Sequence, residues 1–178
     1  GGGVDLGALA TCKSSTLLLE FIEATDNTQK GVGAGAIFSE GCDVTVAGSV
    51  FLNSRNLGLG AGALYAFAGS TVDISYTQFK DGAHDNTMEA VSLDPTFKSA
   101  SAIVLDSSDM SVTGCSFEGN VGNSVIDVTA ANLTVSRTVF KSNADSAMQA
   151  TAAMQGSSGR RLAEGEVAPA KASATISL

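Results

Sequence analysis

The sequence predicts an all-β chain wound as a parallel β-helix, a solenoid of about five to six coils. Three observations predict it: an internal repeat, a two-residue alternation of apolar side chains within each copy, and phenylalanines recurring at one position. In the first clear copy, Gly35-Ala36-Ile37-Phe38 leads to Asp43-Val44-Thr45-Val46 and then Val50-Phe51-Leu52-Asn53. In the second, Gly62-Ala63-Leu64-Tyr65 leads to Thr71-Val72-Asp73-Ile74 and Gln78-Phe79. The third runs from Ala102-Ile103-Val104-Leu105 through Met110-Ser111-Val112 to Ser116-Phe117-Glu118-Gly119-Asn120. The fourth runs from Val125-Ile126-Asp127-Val128 through Leu133-Thr134-Val135 to Val139-Phe140-Lys141-Ser142-Asn143.

Within each copy the pairs Val44/Val46, Val72/Ile74, Met110/Val112 and Leu133/Val135 alternate, the period of a strand with one buried face. Phe21, Phe51, Phe79, Phe117 and Phe140 are taken as the repeated position, with coils of variable length between them. Such coils hydrogen-bond one upon the next, each rising about 4.8 Å, so the phenylalanines stack along the axis. Asn120 and Asn143 then form a turn ladder of side-chain amides.

Composition limits the function classes. The 178 residues hold 10 Lys plus Arg against 18 Asp plus Glu, a net charge of −8, which argues against nucleic-acid and anionic-membrane surfaces. Basic partners and neutral glycans remain open. At 44% hydrophobic and 16% charged, the chain is too apolar for a disordered tail, and its apolar runs are too short for a membrane span. One His and three Cys exclude the usual zinc sites, and no cofactor, metal or catalytic residue is expected.

The motifs Ala34-Gly35-Ala36-Ile37-Phe38 and Ala61-Gly62-Ala63-Leu64-Tyr65, with Phe117-Glu118-Gly119-Asn120 and Phe140-Lys141-Ser142-Asn143, resemble the Gly-Gly-Ala-Ile and Phe-x-x-Asn repeats of chlamydial polymorphic outer-membrane proteins. Related segments occur in large algal and bacterial surface proteins. Ala replaces the leading Gly, and Ser54 and Gly82 stand where Asn is expected after Phe51 and Phe79. The resemblance covers roughly residues 30 to 146. It implies a right-handed, pectin-lyase-like β-helix in a secreted or surface-exposed protein.

The ends are less regular. Leu17, Leu19 and Phe21 alternate, but with Phe21 in the repeated position Ser14 and Thr16 occupy sites that are apolar elsewhere. Residues 147 to 150 open a sixth coil, and 172 to 178 read as its second strand. The helix formers of Ala147 to Met154 offer a short helix as the competing reading. No cap is evident at either end, so residues 1 to 178 are expected to be a single segment of a longer β-helix. Two inserted loops, 86–99 and 155–169, interrupt the repeat. The first carries Met88, Glu89, Asp94, Pro95, Phe97 and Lys98 without catalytic spacing, and the second carries Arg160 and Arg161, a candidate processing site.

Cys12 and Cys42 each stand nine residues before Phe21 and Phe51, which makes them a candidate disulfide across adjacent coils. Cys115 reads as a small buried residue. Asn132-Leu133-Thr134 is a candidate N-glycosylation site, with Leu133 inward and Asn132 and Thr134 to solvent. His84 reads as an exposed turn residue. Asp26, Asp85 and Asp145 stand near corners where oxygen ligands could bind calcium weakly, although solvation explains them as well.

Three functions fit such a solenoid. The favoured one is a non-catalytic structural or adhesive rod of a large extracellular or cell-surface protein, whose partners are the rest of its own chain, other surface proteins or glycans. The second is a polysaccharide lyase or hydrolase on acidic glycans; Asp73 and Asp127 fall on different strand types, and Arg137 and Lys141 have no evident carboxylate partner. The third, ice binding through a threonine array, is broken by Asp73 in the row Thr45, Asp73, Ser111, Thr134.

Overall fold

A computed structural model of the chain describes residues 9–84, 99–122, 124–144, 146–151 and 174–177. These residues form strands and turns, without a helix among them. All pairings between strands are parallel, and each strand pairs with its counterpart in the neighbouring coils.

Three long sheets run along the axis. Sheet I holds Ala10–Lys13, Ile37–Glu40, Leu64–Phe67, Ile103–Asp106, Ser124–Thr129 and Ser146–Thr151. Sheet II holds Thr16–Glu20, Asp43–Ala47, Thr71–Ser75, Asp109–Thr113, Asn132–Ser136 and Ala174–Ser177. Sheet III holds Glu23–Thr25, Val50–Leu52, Gln78–Lys80, Ser116–Glu118 and Val139–Lys141. Two short sheets complete the larger coils, one of Thr28–Gln29, Arg55–Asn56 and Ala83–His84, the other of Val32–Ala34, Leu59–Ala61 and Ser99–Ala100.

The alternation dictates what each sheet gives the core. Sheet II sends in Val44/Val46, Val72/Ile74, Met110/Val112 and Leu133/Val135, and sheet I sends in Ile37, Leu64, Ile103 and Ile126 from one row. Sheet III contributes Phe51, Phe79, Phe117 and Phe140, whose rings stack at 5.2, 4.8 and 4.9 Å between centroids and within 8° of parallel. Offset stacking of this kind adds to the apolar area already buried.

Phe21 does not join that stack. Leu17 and Leu19 pair with Val44 and Val46, so the core position of the first coil falls to Ala24, opposite Phe51. Phe21 sits in the turn, 84% exposed. The two leucines set the register because aligning Phe21 with Phe51 would turn Ser14 and Thr16 inward.

Three corners repeat on five coils with the backbone in the left-handed region. After sheet I the residues are Ser14, Gly41, Ala68, Ser107 and Ala130; after sheet II, Phe21, Gly48, Tyr76, Gly114 and Arg137; after sheet III, Asp26, Asn53, Asp81, Gly119 and Ser142. Each φ lies between 45° and 67°. A single residue there reverses the side-chain alternation and turns the chain to the next sheet, at about 1–2 kcal/mol wherever a Cβ is present.

Buried and half-buried hydroxyl and thiol side chains line the inner corners. Ser49, Thr77, Cys115 and Thr138 follow the left-handed position after sheet II, and each bonds back to the carbonyl two residues earlier. The Asn ladder forms as the repeat predicts: Asn120 Nδ2 donates to Asn143 Oδ1 at 3.0 Å and to the Phe79 carbonyl at 3.0 Å. Its Oδ1 accepts from the Gly82 amide at 3.0 Å, so it reaches the space left where Asn is replaced by Gly.

The segment 146–151 is a strand beside Ser124–Thr129, and 174–177 is a strand beside Asn132–Ser136. The alternative helix is not formed over 146–151, because an open strand edge outweighs the propensity of Ala and Met. Most of the insertion 86–99 and all of 155–169 lie outside the described residues.

Candidate binding face

Two of the outward rows of sheet II carry the candidate site. One is Thr16, Asp43, Thr71, Asp109 and Asn132, and the other is Leu18, Thr45, Asp73, Ser111 and Thr134. A shallow depression of about 250 Å3 opens across them, lined by Thr71, Asp73, Asp109, Ser111, Asn132 and Thr134 over the buried Val72 and Met110. Asn132 Nδ2 donates to Asp109 Oδ1 at 2.7 Å, which orients the carboxylate along the axis. Asp73 is one coil from Asp109 and two residues offset, a Cα separation of about 8 Å from strand geometry. This face offers hydroxyls, an amide and two carboxylates, which suits hydrogen bonding to sugar hydroxyls better than holding a metal. Among the described residues, no group of three or more His, Cys, Asp or Glu gathers to hold a metal ion.

Asp73 and Asp109 share one face of sheet II, whereas Asp73 and Asp127 fall on different sheets. Asp127 lies on sheet I and is 4% exposed. Aligning Asp109 with Thr71 across a 38-residue coil was the signal that would have found the pair.

Asn132 opens its strand with its side chain exposed, Leu133 is buried and Thr134 is exposed. Cys12 and Cys42 are joined by a disulfide with a Cα separation of 6.3 Å. Their positions are not equivalent, since Cys12 pairs with Ser39 and Cys42 follows at the corner, so the bridge crosses diagonally. Cys115 is buried, and burial pushes its thiol pKa up, away from the nucleophilic thiolate.

His84 is a correction. It is 7% exposed, in a short strand beside Arg55–Asn56, and its Nε2 lies 2.7 Å from the Gly58 carbonyl oxygen. The coil continues past Phe79 as a paired strand, which carries the imidazole onto the inner row of Gln29 and Asn56. Asp26 accepts from Asn53 Nδ2 at the corner after sheet III, where the next coils place Asp81, Gly119 and Ser142. Asp85, Asp145, Arg160 and Arg161 lie outside the described residues.

Two aromatic groups sit apart from the phenylalanine stack. On sheet I, Phe38, Tyr65 and Phe67 pack together at 5.2 to 5.8 Å between centroids. Burial, with Asp106 and Asp127 adding repulsion, raises the Tyr65 pKa to about 12. At the corner after sheet II, Phe21 and Tyr76 are 84% and 68% exposed.

Parallel strands coiled into stacked sheets, with polar rows outside and stacked apolar rows within, define a β-solenoid. The chain belongs to the right-handed β-helix family, whose model, described as a right-handed beta helix region, matches residues 8–160. No curated protein and no solved structure matches the chain. No helix among the described residues is long and apolar enough to cross a membrane.

Proposed function

We propose that the chain is a structural or adhesive rod module, non-catalytic, of a large secreted or cell-surface protein. The observation that carries this reading is the continuous column from Phe51 to Phe140, flanked by corner ladders that repeat coil by coil. Such a stack holds its shape along its whole length and presents side chains at a fixed rise. The Cys12–Cys42 bridge supports an oxidising compartment, where disulfides persist. The Gly-Ala-Ile and Phe-x-x-Asn motifs support a place beside the polymorphic outer-membrane-type surface proteins, with the rest of its own chain, other surface proteins or glycans as partners.

Non-reducing peptide mass spectrometry on protein from its native source tests this. The reading expects a Cys12–Cys42 linked peptide, a glycan on Asn132, and peptides that extend past Gly1 or Leu178 into further coils. Free thiols with a bare Asn132 and no flanking coils would defeat it.

A second reading, a polysaccharide hydrolase or lyase, is favoured by Asp73 and Asp109 facing one depression. Such enzymes use two carboxyl groups as acid and base, and Asp73 and Asp109 stand on the same outward face one coil and two residues apart. Turnover of pectin or alginate, with or without calcium, that is abolished in Asp73→Asn or Asp109→Asn would replace the rod reading by this one.

A further inference from the structure

We infer that the corner after sheet II is a binding edge for a neutral, extended β-1,4-linked glycan, with the Phe21 and Tyr76 rings as stacking platforms. The rod reading stands whether or not this edge binds.

Phe21, Gly48, Tyr76, Gly114 and Arg137 are the same position on five successive coils, joined by amide-to-carbonyl bonds on either side. All five are left-handed, a conformation that favours glycine, and two coils use glycine. Phe21 and Tyr76 combine two unfavourable features there, a bulky side chain at φ 53° and 50° and a large exposed apolar surface. The left-handed backbone belongs to this corner on every coil; what sets Phe21 and Tyr76 apart is a large ring held in solvent there.

The arrangement also fixes the rings. The Phe21 ring lies across Gly48 and the Tyr76 ring across Gly114, so close that a Cβ at Gly48 would overlap the Phe21 ring and one at Gly114 would press on the Tyr76 ring. The glycines thus seat the aromatics, and the rings recur every second coil. Two coil rises are about 9.6 Å. In a flat β-1,4-linked chain alternate sugars show the same face, and one disaccharide spans about that length, so sugars one disaccharide apart meet Phe21 and Tyr76 together. Arg137 holds the position two coils further on, where its guanidinium can donate to hydroxyls. Ser75 and Gln78 flank Tyr76 with further polar groups.

Charge selects the ligand. Glu20 and Glu23 are exposed on either side of Phe21, and the whole chain carries −8, so a polyuronate is repelled where a neutral chain is not.

Calorimetric titration of the full chain with cellohexaose and chitohexaose tests the inference, with an oligogalacturonate as the anionic control. Saturable binding of at least one neutral hexaose is expected, with weaker binding of the oligogalacturonate. Phe21→Gly with Tyr76→Gly removes both rings and relieves the backbone, and is expected to weaken binding roughly tenfold or more. Tyr76→Phe keeps the ring and is expected to bind as the parent does. No saturable binding of either neutral hexaose, preference for the oligogalacturonate, or equal affinity in the double glycine variant would overturn the inference. Should the double variant melt below the parent, Tyr76→Leu, which keeps apolar cover over Gly114 without a flat ring, decides: loss of affinity supports the edge, and retention overturns it.

Discussion

The rings of Phe79 and Phe117 lie 4.8 Å apart and 5° from parallel, although a 38-residue coil separates them in the chain. Both are essentially buried, and Phe117 is sandwiched between Phe79 and Phe140. The column therefore depends on each member having a neighbour above and below.

Phe117→Ala is expected to lower stability by about 3–5 kcal/mol, since it opens a cavity in the middle of the stack and strips both neighbours of contact. Phe140→Ala should cost less, because Phe140 is only partly buried. Denaturant melts of the two variants measure the difference, and equal losses would show that the column does not act as a stack.

Asn120→Asp should destabilise the fold as severely as Asn120→Ala, by about 2–3 kcal/mol. The carboxylate can still accept from the Gly82 amide but cannot donate to the Phe79 carbonyl or to Asn143 Oδ1. A thermal melt of both variants at neutral pH checks the equality.

Ala130→Gly is expected to raise stability by about 0.5–1 kcal/mol, the balance of the relieved left-handed Cβ clash against the added freedom of the unfolded chain. Ala130 is exposed at φ 49°, so nothing else is lost. Gly62→Ala should do the opposite, because a Cβ there would overlap the Ser101 carbonyl oxygen. Melting temperatures of the two variants are expected to move in opposite directions.

Reducing Cys12–Cys42 should lower stability by about 2–4 kcal/mol for a bridge spanning 30 residues. The loss concentrates in the first coil, where Ala24 replaces the phenylalanine of the later coils. Hydrogen exchange with and without reductant should show residues 10–25 losing protection before residues 103–118.

Tyr65 is expected to ionise near pH 12, held neutral first by burial and then by Asp106 and Asp127. The folded value stands above the ordinary tyrosine value near 10, so the stability this group contributes is whole below about pH 10 and lost as pH rises toward about 12. Tyrosinate absorbance in an alkaline titration follows it, and Asp106→Asn should bring the value down.

The later coils were legible because Phe51, Phe79, Phe117 and Phe140 recur at one place in the repeat, and the apolar pairs beside them alternate. The first coil was not, because Leu17, Leu19 and Phe21 also alternate, and only pairing with Val44 and Val46 shows that the turn falls at Phe21. His84 carried no apolar pattern; strand pairing with Arg55–Asn56 buries it, and a carbonyl 26 residues earlier satisfies its ring. Asp73 and Asp109 became neighbours only once the register across the long third coil was known. At 147 to 150, intrinsic helix preference lost to a partner strand that sequence alone does not display.

The inter-coil hydrogen bonds all run along the axis of the rod. Tension applied along that axis therefore opens them one coil at a time, as a zipper, rather than loading many at once in shear. The bridge between Cys12 and Cys42 joins the first coil covalently to the second, so a pull on that end passes the first seam without parting it. Under load the weakest seam shifts inward, to the first pair of coils that no disulfide joins.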